Sequence, residues 1–362
     1  SVVNNTALPN TANVLNLKGE ARIARAVGYF YAVAFYSPNP TSNMNQEFGV
    51  PLNLGNYDPN QQLPRATVDA VYEQIITDLT TALSIMTDEN PSNKGFLSPT
   101  AARLLLSRVY LTRGKAGDYQ KAIDYADQVI NSASGSFNFV SKEDYVKYFT
   151  ASDVNSSENQ PETVWEINMN ATSGENPGIN SSLSSFYEFN GSKKRFLFTQ
   201  NFYSTFASSD VRRSLFTSTA VPTQDDPRGI WTRKYFRTTS EGPFAQNVKI
   251  FRMSEAKLNK IEALFKIGNT ALALTELNDF AASRGAVPYA AATLENILKE
   301  RRKEFFAEGH RFFDLKRNNL GFAKLTNCYS IVCEVAPNDK LFVIPMPLRE
   351  RNINLNITQY PG

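Results

Sequence analysis

The 362-residue chain is long enough to bury a large core, as one big domain or as two. Its net charge of +3 comes from basic residues spread along the chain, which excludes the concentrated basic surface that nucleic-acid binding needs. No apolar run reaches transmembrane length, and the start, SVVNNTALPN, reads as mature or trimmed, so it carries no targeting information. The two cysteines, Cys328 and Cys333, have no Cys or His cluster beside them and cannot make a zinc site. They either close a small loop in an oxidising compartment or stand as two free thiols.

Residues 17–36, LKGEARIARAVGYFYAVAFY, read as a helix with Leu17, Ala21, Ala24, Gly28, Tyr31 and Phe35 on one stripe. The small residues at Ala21, Ala24 and Gly28 would let another helix approach closely. SPNP at 37–40 ends it, because proline lacks a donor and restricts the residue before it. A polar loop runs to about Arg65. The next helix spans about Thr67 to Met86, with Val68, Val71, Ile75, Leu79, Leu83 and Met86 at helical spacing. Ser98-Pro99 is an N-cap followed by proline at the first helical position, and that helix ends at Gly114. Asp118–Asn131 forms a second arm, so the two make an antiparallel hairpin of tetratricopeptide pattern.

From 133 to 250 Asn, Ser, Thr, Gly and Pro dominate, interleaved with aromatic residues. The alternation of Trp165, Ile167 and Met169 predicts a strand over 163–169, and a short helix is expected near 202–206. A loop region this long in a compact protein is usually functional. Helices return at 254–267, 270–284 and 293–308, the first two as a second hairpin with Gly268 and Gly285 at the stops. The tail from Leu341 reads as a short apolar strand and an extended end.

The densest run of charge and rings is ERRKEFFAEGHRFFDLKRNN, Glu300–Asn319, which contains the single histidine, His310. Gly309 suits a left-handed C′ position, so the chain turns there. Rings and charges mixed this densely predict burial with pairing, Glu304 or Glu308 with Arg311 and Asp314 with a nearby arginine, since an unpaired buried charge is costly.

Several of these segments, in order, resemble the SusD/RagB family of outer-membrane nutrient-binding lipoproteins of Bacteroidetes. ILKERRKEFFAEGHRFFDLKR is similar to the family's ERRxEFxFEGHRWFDLKR motif. SSDVRRSLF resembles its DPRR-like turn, with Val211 where proline is usual, and IPMPLRERNINLNITQYPG resembles its terminal pattern, with Leu355 and Tyr360 substituted. The first helix, LKGEARIARAVGYFYAVAFY, resembles the family's helix with an AEARFLRA-like core and an aromatic run, the first hairpin resembles its alanine-rich helical hairpin, and the second resembles its arginine-Ala-Glu-rich repeat. The resemblance implies an all-α fold: tetratricopeptide-like hairpins as a scaffold with a loop-rich insert carrying a little β-structure. It also implies one SusD-like unit over residues 1–362, divided into hairpins (17–132), a ligand-facing insert (133–250) and C-terminal hairpins with the tail (251–362).

The family binds and does not catalyse, so no catalytic residue, metal or cofactor is expected. The sequence agrees: it has no phosphate loop, HExxH or dinucleotide fingerprint. His310 reads as a packed residue. The acid pairs Asp225/Asp226 and Glu300/Glu304 read as solvated loop or helix-surface carboxylates rather than a glycosidase pair. The implied role is capture of oligosaccharide on the extracellular face of the outer membrane for a SusC-like TonB-dependent transporter. The family's lipid anchor does not lie in this chain, nor does a segment before the first helix that often supplies part of the ligand site. Alternatives are peptide capture, or a tetratricopeptide interaction scaffold with no small ligand.

Sugar rings present an apolar C–H face to aromatic side chains and hydroxyls to planar polar groups. RGIWTRKYFR supplies Trp231, Tyr235 and Phe236 among Arg228, Arg233 and Arg237. Tyr187 and Phe189 in SSFYEFN, and Tyr36 with Asn39, Asn43 and Asn45, are further candidates. Trp231 leads, because in the family the middle region contributes aromatic contacts.

Overall fold

The structure is a computed structural model describing residues 2–56, 58, 60–90, 92–132, 137–151, 157–169, 178, 180–187, 193, 195–217, 230–235, 246–324, 328 and 332–362. The fold is all-α, with short strands. The chain forms two compact units: Ser1–Glu89, Leu97–Gln128 and His310–Gly362 make the first; Asn90–Phe96 and Val129–Gly309 make the second.

In the first unit, α1 (Ala12–Tyr36) packs along α2 (Val68–Ile85), which packs on α3 (Pro99–Arg113). Each begins where a hydroxyl satisfies an orphan amide: Thr11, Thr67 and Ser98 accept from Val14, Ala70 and Ala101 N–H. Gly114 stops α3 in the left-handed region (φ 63°). With α4 (Asp118–Ile130) the hairpin closes: Ser107 Oγ donates to Ala122 O at 2.9 Å, and Tyr110 stacks on Tyr125. Arg113 also grips Asp118 with two bonds of 2.7 and 2.8 Å.

The stripe read from α1 is not its buried face. Gly19, Ile23, Ala26, Phe30, Val33 and Ala34 are buried instead, and Leu17 is 56% exposed. The close approach falls at Gly19, where an added Cβ would lie 2.0 Å from Met86 Cγ, whereas Gly28 has open space. The cause is long-range. Buried Asp78 on α2 takes Arg22 (3.2 Å) and Arg25 (2.6 Å), which fixes the rotation of α1. Tyr31 and Phe35 serve a second contact, meeting Phe313 at 5.7 and 5.4 Å on the helix His310–Arg317.

The tail departs from the strand reading: Lys340–Phe342 is a 3-10 turn and Leu348–Ile353 a short helix. Lys316 Nζ donates to Ala34 O, Ser37 O and Phe342 O at 2.6, 2.7 and 2.8 Å, satisfying the carbonyls that end α1 and tying the tail to them. Cys328 and Cys333 are disulfide-bonded.

In the second unit, β1 (Thr163–Ile167) pairs antiparallel with β2 (Val248–Arg252), Thr163 opposite Arg252 and Glu166 opposite Lys249. The strand is two residues shorter than its alternation suggested. The hairpin Met253–Lys266 and Thr270–Ser283 follows. Gly285 stops it at φ 69°, where a Cβ would sit 2.3 Å from Ser209 O. The core is aromatic: Tyr145, Tyr148, Phe149, Phe202, Phe206, Phe216 and Phe306 are buried together, with Phe216 and Phe306 stacked at 4.5 Å.

Candidate functional site

The segment 230–233 is threaded between two others by backbone bonds. Ile230 O accepts from Phe198 N at 2.8 Å, Trp231 O from Thr217 N at 3.1 Å, and Arg233 N donates to Leu215 O at 2.7 Å. Trp231, the leading candidate, is thereby 1% exposed and presents no open ring face. Tyr235 is 7% exposed, its hydroxyl donating to Ala307 O at 2.8 Å, and burial raises its phenol well above the ordinary range. Arg233 is half-buried. Phe236, Phe189, Arg228, Arg237, Asp225 and Asp226 lie outside the described residues.

Tyr187 fares differently. It is half-buried and its ring lies 4.9 Å from Phe196, 5.5 Å from Tyr235 and 6.4 Å from Phe198. Phe198 continues inward to Phe216 and Phe306 at 5.3 and 5.6 Å. The result is a ladder of rings that starts at the surface, where Phe196 is 48% exposed, and ends in the core. The local backbone sets it: Arg195 N and Phe196 N both donate to Phe186 O, at 2.9 and 3.1 Å, holding Phe196 against the helix Leu183–Tyr187. Phe196 escaped the sequence reading. The signal was there in RFLF, where Phe196 and Phe198 fall two apart, as on one face of an extended segment.

Tyr36 and Asn43 belong to the first unit. Tyr36 is half-buried at the end of α1, and Asn43 is exposed with φ 54°, capping the 3-10 turn Pro40–Ser42. Asn39 is buried, its amide donating to Lys316 O and Asn319 Oδ1 at 2.6 and 2.7 Å, so it serves the scaffold.

The acids of the charged run are not on a helix surface. Glu300 and Glu304 are fully buried, and both meet Arg212 Nη1, at 2.7 and 3.3 Å. Glu304 also meets Arg252 and Arg284 at 3.0 and 3.4 Å, and Glu308 meets Arg252 and Lys234 at 2.8 and 2.5 Å. These partners replace the Arg311 suggested by proximity in sequence. Asp314 does find an arginine, Arg317, at 2.7 Å. Burial opposes ionisation of Glu304, yet Arg284, Arg252, Arg212 and Lys234 together hold it well below the usual carboxylate range. Burial brings Lys234 down to about 8 against the pull of Glu308. Saturated with partners and sealed from solvent, this network is a structural device and offers no face to a ligand.

The described residues form helical hairpins with a few short strands, and in the second unit a ladder of rings reaches the surface. The chain belongs to the SusD family: the model so described matches residues 112–362, and one described as starch-binding associating with outer membrane matches residues 1–111. It is thereby placed among carbohydrate-binding proteins associated with the outer membrane. Among the described residues no helix is long and apolar enough to cross a membrane. The crystal structure of a SusD superfamily protein from Bacteroides vulgatus is similar over 98% of this chain and 79% of its own, at 28% identity and a TM-score of 0.86. One from Bacteroides thetaiotaomicron is similar over 99% and 81%, at 28% identity and a TM-score of 0.81. Surface glycan-binding protein A from Bacteroides uniformis shares the fold at 21% identity, 99% and 80% coverage and a TM-score of 0.75. No curated protein matches the chain.

Proposed function

We propose that this protein captures oligosaccharide on the outer face of the outer membrane without changing it chemically, and hands it to a SusC-like TonB-dependent transporter. The observation that carries the reading is the ladder Phe196–Tyr187–Tyr235 on a chain of a starch-binding family. An exposed ring backed by half-buried and buried rings is a rigid apolar shelf, and the C–H face of a pyranose stacks on such a shelf at little entropic cost. Arg195, exposed beside Phe196, supplies planar donors for hydroxyls. Arg233 and Trp231 are second-rank candidates, Trp231 because a ring that is 1% exposed needs a rearrangement before it can stack.

The test is calorimetric titration of neutral oligosaccharides and of peptides into the protein, repeated with Phe196→Ala. Glycan binding that weakens in the variant supports the reading. Peptide binding with no glycan binding overturns it in favour of peptide capture.

A further inference from the structure

The second unit also contains an open cleft of about 510 Å³, lined by none of the residues of the ring ladder. That volume falls within the roughly 300–1,000 Å³ typical of small-ligand sites. Its walls are formed by the segment 138–141, by Gln160–Pro161 beside it, and by Asp144, Lys147 and Tyr148.

The walls are held by the protein itself. Asn138 N donates to Pro161 O at 3.0 Å, tying one wall to the other. Val140 N donates to Glu162 Oε2 at 2.9 Å, and Val140 O accepts from Arg284 Nη1 at 3.2 Å, so the first wall is bolted to the buried ion network. Tyr148 is 2% exposed, its hydroxyl bonded to Thr163 Oγ1 at 2.8 Å. A ligand therefore meets a preformed cavity and spends little on ordering it.

The chemistry of the lining selects the ligand. Phe139 is half-buried and Pro161 exposed, which together offer an apolar patch. Around it stand an amide (Asn138), a hydroxyl (Ser141), one carboxylate (Asp144) and one ammonium (Lys147), so the charges cancel. Ser141 Oγ donates to Asp144 Oδ2 at 3.0 Å, orienting the carboxylate, while Lys147 is exposed. The backbone is already committed. The N–H groups of Asn138, Phe139 and Val140 are bonded to Pro161 O, Asn138 Oδ1 and Glu162 Oε2, so none of the three can donate to an added peptide strand. A neutral ligand with an apolar face and many hydroxyls fits this lining; an extended peptide or a strongly charged ligand does not.

We propose that this cleft is a second sugar-binding site, taking a short uncharged stretch of oligosaccharide. The proposal rests on the protein being a glycan binder. It is tested by titrating maltoheptaose, cellohexaose, xylohexaose and mannohexaose into the wild type, Phe139→Ala, Lys147→Ala and Phe196→Ala, with thermal unfolding confirming that each variant is folded. Lys147 is exposed, so its variant tests the cleft even if Phe139→Ala disturbs the wall. The expected result is a roughly three- to tenfold loss of affinity in Phe139→Ala, the size of one ring contact, and a smaller loss in Lys147→Ala. Glycan binding that both cleft variants leave unchanged overturns the cleft alone. A wild type that binds none of the four overturns the cleft together with the reading it rests on.

Discussion

The Arg252 guanidinium stands 3.0 Å from the Glu304 carboxylate, and neither side chain is more than 1% exposed. Glu304 also accepts from the Tyr145 hydroxyl at 3.0 Å, and Arg252 reaches Glu162 at 2.7 Å. Charges this deep are tolerable only when every one has its partners, so removing one member strands the others. Glu304→Ala should lower unfolding free energy by about 3–5 kcal/mol, read from denaturant titration. A variant with wild-type stability would show that the network carries no such load.

Asp314 and Arg317 form the corresponding pair in the first unit, at 2.7 Å and with side chains 1% and 5% exposed. Asp314→Ala should reduce stability by about 3 kcal/mol while leaving oligosaccharide affinity within twofold of wild type, about 0.4 kcal/mol. Loss of binding at an unchanged melting temperature would make the motif part of the site.

Trp231 and Phe196 separate core from surface. Trp231→Ala empties a buried volume and should cost about 3–5 kcal/mol of stability. Phe196→Ala should leave stability nearly intact and weaken glycan binding by about 0.5–1.5 kcal/mol. Melting curves and calorimetry on both variants check the contrast; the reverse pattern would move the ligand to Trp231.

Lys316 should make stability depend on pH. Burial pushes its ammonium down to about 7, although three carbonyl oxygens favour the charged form. An unfolded lysine titrates at about 10.4. Between these values the unfolded chain binds a proton that the folded chain lacks, so stability rises with pH across that window and is flat below it. Lys234, brought down to about 8, adds a slope of the same sign. Urea midpoints measured from pH 6 to 10 should therefore climb, and climb less in Lys316→Met. Parallel profiles for variant and wild type would exclude Lys316 as a source.

Much of this protein was legible without coordinates. The cap Ser98, the stops Gly114, Gly268 and Gly285, and the hairpins between them are visible because capping and helical periodicity act within a few residues. Family membership follows from the same local strings. The helix at Leu294 ends at Glu304, one turn earlier than its apolar spacing suggested, and Ala307 (φ 63°) and Gly309 (φ 81°) both turn left-handed after it. Glu304, the last residue of that helix, belongs to the buried ion network.

The site was the least legible part. Burial of a ring depends on what covers it, and Trp231 is covered by segments that reach it only through backbone pairing with Thr217 and its neighbours. Phe196 looked like one more aromatic in a loop until the chain brought Tyr187 and Phe186 to its side.

The sequence by itself therefore determined the main helical hairpins, their glycine stops and the family, since those rest on interactions between near neighbours in the chain. Only the tertiary structure decided which face of α1 is buried, which rings reach solvent and which arginines hold Glu304. Its partners lie between 20 and 159 residues away along the chain, and no local pattern encodes a contact at that range.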